Sequence, residues 1–131
     1  MSRKILLGVL FAAACATSSP NAGLQLARPI SPMEGTFEYV GTLKGQAILS
    51  NGRYAFLSGP VDGSAPMTGD AGTYSIVRDT ATHRITHATS PQRVGTTYRW
   101  TAESWSADTL AYVVMNDAGQ VTGRGRAVRR R

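Results

Sequence analysis

The chain has 131 residues, a formal net charge of +6 and a single cysteine. That length suits one domain with a modest core, and a lone thiol excludes an internal disulfide. Of fourteen Lys and Arg, five sit at the extremes (Arg3, Lys4, Arg129, Arg130, Arg131), leaving nine basic against eight acidic groups; so neutral a body offers no obvious nucleic-acid face and argues against that partner.

Residues 1–14 read as a signal peptide: Arg3 and Lys4 precede the apolar run Ile5 to Ala14 and a cluster of small residues. The run is ten residues long, against about 20 for a membrane-spanning helix, so cleavage is expected. Two chemistries fit. A general signal peptidase would cut after Ala14-Cys15-Ala16 or after Ala12-Ala13-Ala14. Alternatively, Phe11-Ala12-Ala13-Ala14-Cys15 resembles a bacterial lipoprotein box, with Ala12 where leucine is usual. That resemblance implies that Cys15 receives a diacylglycerol and becomes the new N-terminus. An unpaired thiol is a liability in an oxidising compartment, which favours Cys15 as a lipidation site. The expected localisation is then the periplasm or cell envelope as a membrane-anchored lipoprotein, with a secreted soluble form as the alternative. Residues 15–33, with Ala16 to Gly23 small and polar, are expected to form a flexible tether, and residues 34–131 the folded domain.

From Thr36 onward the pattern is period-two alternation punctuated by turn dipeptides, and no window carries a helical stripe. Thr36 to Leu43 alternates Phe37, Tyr39 and Leu43 against Thr36, Glu38 and Thr42, with a turn expected at Lys44-Gly45. Gln46 to Ser50, Asn51-Gly52 and Arg53 to Leu57 form a hairpin, since both turn residues tolerate positive φ. Ser58 to Ala71 reads as a long loop. Gly72 to Arg78 and Arg84 to Thr89 are strands around a turn at Asp79 to Thr82. Thr97 to Ser104 alternates Tyr98, Trp100 and Ala102 inward; Thr109 to Met115 is apolar on both faces and so the most buried run. Gln120 to Val128 closes the count at eight.

Glycine stands at several strand entries with an aromatic just inside: Gly35-Thr-Phe37, Gly52-Arg-Tyr54, Gly72-Thr-Tyr74. The glycine permits a tight corner and the aromatic fills adjacent core, as a curling sheet requires. Eight short antiparallel strands close most simply into an up-and-down barrel without free edges; a β-sandwich is the runner-up. Gly35-Thr36-Phe37 resembles the opening Gly-x-Trp of the lipocalin family, with Arg124 or Arg126 standing for its closing arginine. Val94-Gly95-Thr96 and Asp108-Thr109-Leu110 with a glycine-rich last strand look like small bacterial lipocalin-like domains. The resemblance covers Glu34 to Val128 and implies an open-mouthed barrel with Tyr74, Tyr98, Trp100 and Tyr112 as candidate ligand-binding residues. Its competitor is a solid barrel whose inward aromatics leave no room for a ligand and whose work is structural.

His83 and His87 are four apart, but along a strand that separates them by about 13 Å, too far for one metal ion. No nucleophile elbow, Walker loop or dinucleotide glycine pattern occurs. The eight acids fall mostly in turns or at outward positions, their ordinary role being solubility. The expectation is therefore a binding module without cofactor or metal, and not an enzyme. The arginine-rich C-terminus reads as a solvated end.

Overall fold

The computed structural model describes residues 31–131. The expected signal peptide, Cys15 and the tether as far as residue 30 lie outside the described residues. Eight strands follow in order: β1 (Gly35–Val40), β2 (Leu43–Ser50), β3 (Arg53–Pro60), β4 (Thr68–Val77), β5 (Thr80–Ala88), β6 (Thr97–Ser106), β7 (Thr109–Asn116) and β8 (Val121–Arg130). Each pairs antiparallel with its neighbour, and β8 returns to β1 with Thr36 opposite Arg130 and Val40 opposite Arg126, closing one up-and-down barrel. Closure leaves no unpaired edge to recruit another chain. Among the described residues, no helix is long and apolar enough to cross a membrane.

Alternation decides which side chains enter the barrel. Phe37 and Tyr39 from β1, Ala47 and Leu49 from β2, Tyr98 and Trp100 from β6, and Leu110 and Tyr112 from β7 are buried inside. No residue of β7 is exposed, which fits its lack of a polar face. Met33, placed by sequence at the end of the tether, is also in this core, held by a turn in which the Glu34 N–H donates to the Ser31 carbonyl at 2.9 Å.

The strand ends differ from the sequence reading. The first turn is at Gly41-Thr42 rather than Lys44-Gly45, and Lys44 and Gly45 lie within β2. Gly45 belongs there because a Cβ would stand 1.9 Å from the Leu57 carbonyl oxygen on β3, and its φ is +128°. The long loop shrinks to residues 61–67, since β3 runs to Pro60 and β4 starts at Thr68. Gly59 and Gly69 disguise these extensions as loop; a Cβ on Gly69 would meet the Phe56 carbonyl at 2.3 Å, so they mark close strand approach rather than a break. The β4–β5 turn is likewise tighter than expected, at Arg78-Asp79.

An even number of up-and-down strands gives the barrel two unlike ends. The β2–β3, β4–β5 and β6–β7 turns and both ends of the described chain gather at one pole. There Met33 and Phe37 fill the interior, and the Arg129 guanidinium carbon lies 5.4 Å from the Phe37 ring centre and 5.6 Å from that of Trp105. Arg124 and Arg126, expected in the closing role, are exposed instead. Each is one residue out of phase with the inward set that ends in Ala127 and Arg129. The β1–β2, β3–β4, β5–β6 and β7–β8 connections form the other pole.

Candidate functional site

At that second pole the interior is open. A cavity of about 540 Å³ descends between the strands, within the range of about 300–1,000 Å³ typical of small-molecule pockets. Its walls are aromatic: Tyr39, Phe56, Tyr98, Trp100 and Tyr112 all line it. Trp100 and Tyr112 stack with ring centres 4.7 Å apart and planes 16° from parallel, and Tyr39 meets Trp100 edge-on at 6.1 Å. Phe56 packs edge-on to Tyr98 at 6.1 Å. Such offset and edge-on pairs fix one another's rotamers, so the walls are held in place by their own contacts.

Of the four residues singled out from sequence, Tyr98, Trp100 and Tyr112 come together in this cavity. Tyr74 does not line it. It is buried toward the sealed pole, where its hydroxyl donates to Glu34 Oε1 at 2.5 Å. Tyr39 and Phe56 were missed as lining, although the alternation that turns Phe37 and Tyr54 inward carries the same information for them. Beneath the cavity the barrel is filled: His83 is 1 % exposed, stacks on Tyr98 at 4.7 Å and 6°, and meets Tyr54 edge-on at 4.6 Å. It is a core histidine, and burial pushes its pKa down to about 4, opposed only in part by the backbone of Ala81. His87, four residues on, is exposed.

The polar machinery of the site was largely hidden in the sequence. Asp70, assigned to a loop, sits inward on β4 with its side chain 0 % exposed. Its Oδ1 accepts the Tyr54 hydroxyl at 2.8 Å and the Tyr98 hydroxyl at 3.3 Å, while Oδ2 faces an Arg93 terminal nitrogen at 2.8 Å. Burial pushes the Asp70 pKa up, opposed by Tyr54, by the Arg93 charge and by Tyr98. The same burial, reinforced by the Asp70 charge, drives Tyr98 strongly upward, and Tyr112 rises to about 12 through burial alone. These phenols remain neutral donors across the physiological range.

Arg93 ends a single 3-10 turn (Pro91–Arg93) in the β5–β6 connection. It lines the cavity, lies over Tyr98 with its guanidinium carbon 5.8 Å from the ring centre, and keeps 40 % of its side chain exposed. Thr96, Thr97, Asn116 and Asp117 continue this polar side of the mouth, where the Thr97 hydroxyl donates to Asp117 Oδ1. Apolar side chains share this pole. Val40, Leu43, Val61, Met67, Val94 and Val121 stand exposed on or beside its four connections. Among the described residues, no group of three or more His, Cys, Asp and Glu is placed to hold a metal ion.

The fold and the site define a small closed eight-stranded antiparallel barrel, sealed at one pole and open over aromatic walls at the other. No protein-family model matches the chain, and neither curated proteins nor solved structures yield a match.

Proposed function

We propose that this protein is an exported, lipid-anchored binding module that takes a small apolar ligand into the open pole of its barrel. The observation that carries the reading is the aromatic-walled cavity of about 540 Å³ around Tyr98, Trp100 and Tyr112. Apolar surface removed from water there contributes roughly 25 cal/mol per Å², and preset walls spare the ligand part of the ordering cost of binding. The exposed apolar residues around the mouth add apolar surface along a lipophile's approach. Gly35-Thr36-Phe37 and the packing of Arg129 on Phe37 support a lipocalin-like reading of the barrel. The export signal and Cys15 support an anchored location in the cell envelope. The role is binding, without a chemical step.

Titration with an uncharged fluorescent lipophile, N-phenyl-1-naphthylamine, tests the cavity. Saturable enhancement with a change in tryptophan emission is expected, because Trp100 lies in the wall. A flat titration would return the protein to the second reading, a structural envelope lipoprotein with a solid barrel, which the filled interior around His83, Ile85 and Leu49 favours. Intact mass of the exported protein tests the anchor: an acyl-modified species beginning at Cys15 is expected, and an unmodified one beginning at Thr17 would remove it.

A further inference from the structure

We infer that the open cavity selects amphiphiles carrying a single carboxylate, with Arg93 as the head-group contact. The inference rests on the cavity reading above and adds a ligand class to it. Among the described residues Arg93 is the only arginine lining the cavity, and it is poised at the boundary between aromatic wall and solvent. Its orientation is fixed from below. Asp70, fully buried and held by the hydroxyls of Tyr54 and Tyr98, takes one terminal nitrogen at 2.8 Å. The Arg93 guanidinium carbon stands 5.8 Å from the centre of the Tyr98 ring. A guanidinium carries five N–H donors in a planar fork, so one anchored nitrogen leaves an edge for a second acceptor, and the 40 % exposure of the side chain lets one reach it.

Such an anchored arginine is preorganised. Its rotamer entropy is already lost to Asp70 and Tyr98, so a carboxylate gains a charge-assisted bond without ordering a long side chain. The two tyrosyl donors occupy Oδ1 and leave Oδ2 to Arg93. Depth then sorts the rest of the ligand: below Arg93 lie Phe56, Trp100, Tyr112 and Val114, and among the described residues no other Lys or Arg lines the cavity. An acyl chain or flat ring system goes there and the head stays at the rim. Asp117 sets the limit on charge. Its carboxylate stands on the same side of the mouth, held by Thr97. It disfavours a dianion and so separates a carboxylate from a phosphomonoester.

Three probes with one chain length test this: laurate, 1-dodecanol and dodecyl phosphate, titrated calorimetrically at pH 8 below the critical micelle concentrations of the two anions and below the solubility limit of the alcohol. Laurate is expected to bind about tenfold tighter than dodecanol, as a charge-assisted contact allows, and dodecyl phosphate no tighter than laurate. In the double variant R93Q/D70N, which leaves no buried carboxylate without its cation, the ratio of laurate to dodecanol affinity should fall to about one. Equal binding of laurate and dodecanol to wild type, or a preference that survives in the double variant, overturns the head-group inference and leaves the cavity reading intact. Tighter binding of dodecyl phosphate overturns the role of Asp117. If none of the three binds, the cavity reading itself falls and takes this inference with it. Should the double variant not fold, the wild-type comparison alone decides.

Discussion

Among the described residues, the aromatic core aside, His83 and Asp70 are the two buried polar or charged side chains, and they pull stability in opposite directions as pH changes. The pKa of His83 falls from 6.5 in the unfolded chain to about 4 in the fold. Its contribution is present above pH 6.5 and lost as pH drops toward 4, about 3 kcal/mol in all. Asp70 is raised, so its contribution is present below pH 3.8 and fades as pH climbs through its folded value. Net acid sensitivity between pH 6.5 and 4 therefore belongs to His83. Thermal unfolding is expected to fall in midpoint across that interval for wild type and to flatten in His83→Phe, which keeps a ring against Tyr98; an unchanged slope would show that another group titrates. A second residue-scale prediction concerns Gly125. A Cβ there would sit 2.5 Å from the Tyr112 hydroxyl oxygen, so Gly125→Ala pushes that ring into the cavity. A loss of about 1–3 kcal/mol is expected by denaturant titration, together with a shift in Trp100 emission, since Trp100 stacks on the displaced ring.

At the scale of elements, all eight strands were legible because each keeps one apolar face at period two, and β7 was recognisable by having two. The Asn51-Gly52 hairpin stands where its dipeptide placed it, with φ of +50° and +75°. Strand ends were less legible where glycine serves contact rather than turning: Gly45, Gly59 and Gly69 read locally as breaks, and only the neighbouring strand reveals why they are needed. The site followed the same division. Tyr98, Trp100 and Tyr112 sit on strongly alternating strands, and the fold brings them together on the cavity wall. Tyr74 obeys the same alternation, yet sits toward the sealed-pole end of its strand, and alternation carries no information about height along the barrel. Asp70 could not be seen because its partners Tyr54, Arg93 and Tyr98 lie 16 to 28 residues away. The 61–67 connection, exposed throughout, carries little of the fold. Replacing it with a four-residue turn is expected to move the unfolding midpoint by only a few degrees, measured by circular dichroism, while replacing Gly45 with alanine should prevent cooperative folding altogether.

For the whole molecule, closure is the property on which the rest depends. The β1–β8 seam joins residues more than eighty apart in sequence, through pairs such as Phe37 with Arg129 and Tyr39 with Ala127. Its exposed Arg130–Glu38 ion pair adds little in water, so the seam is held by backbone pairing and by Phe37, Tyr39 and Ala127 inside. Deleting residues 127–131 should therefore open the barrel. The expected result is loss of a single cooperative transition and exposure of two strand edges, read as concentration-dependent association in sedimentation; a monomer with an unchanged melt would show that the seam is dispensable. The even strand count has a further effect: Gly35 and Arg130 end up beside each other at the sealed pole. A label, fusion or solid support joined at the C-terminus hangs from that base, and the four connections around the vestibule can be lengthened or exchanged without crowding the attachment.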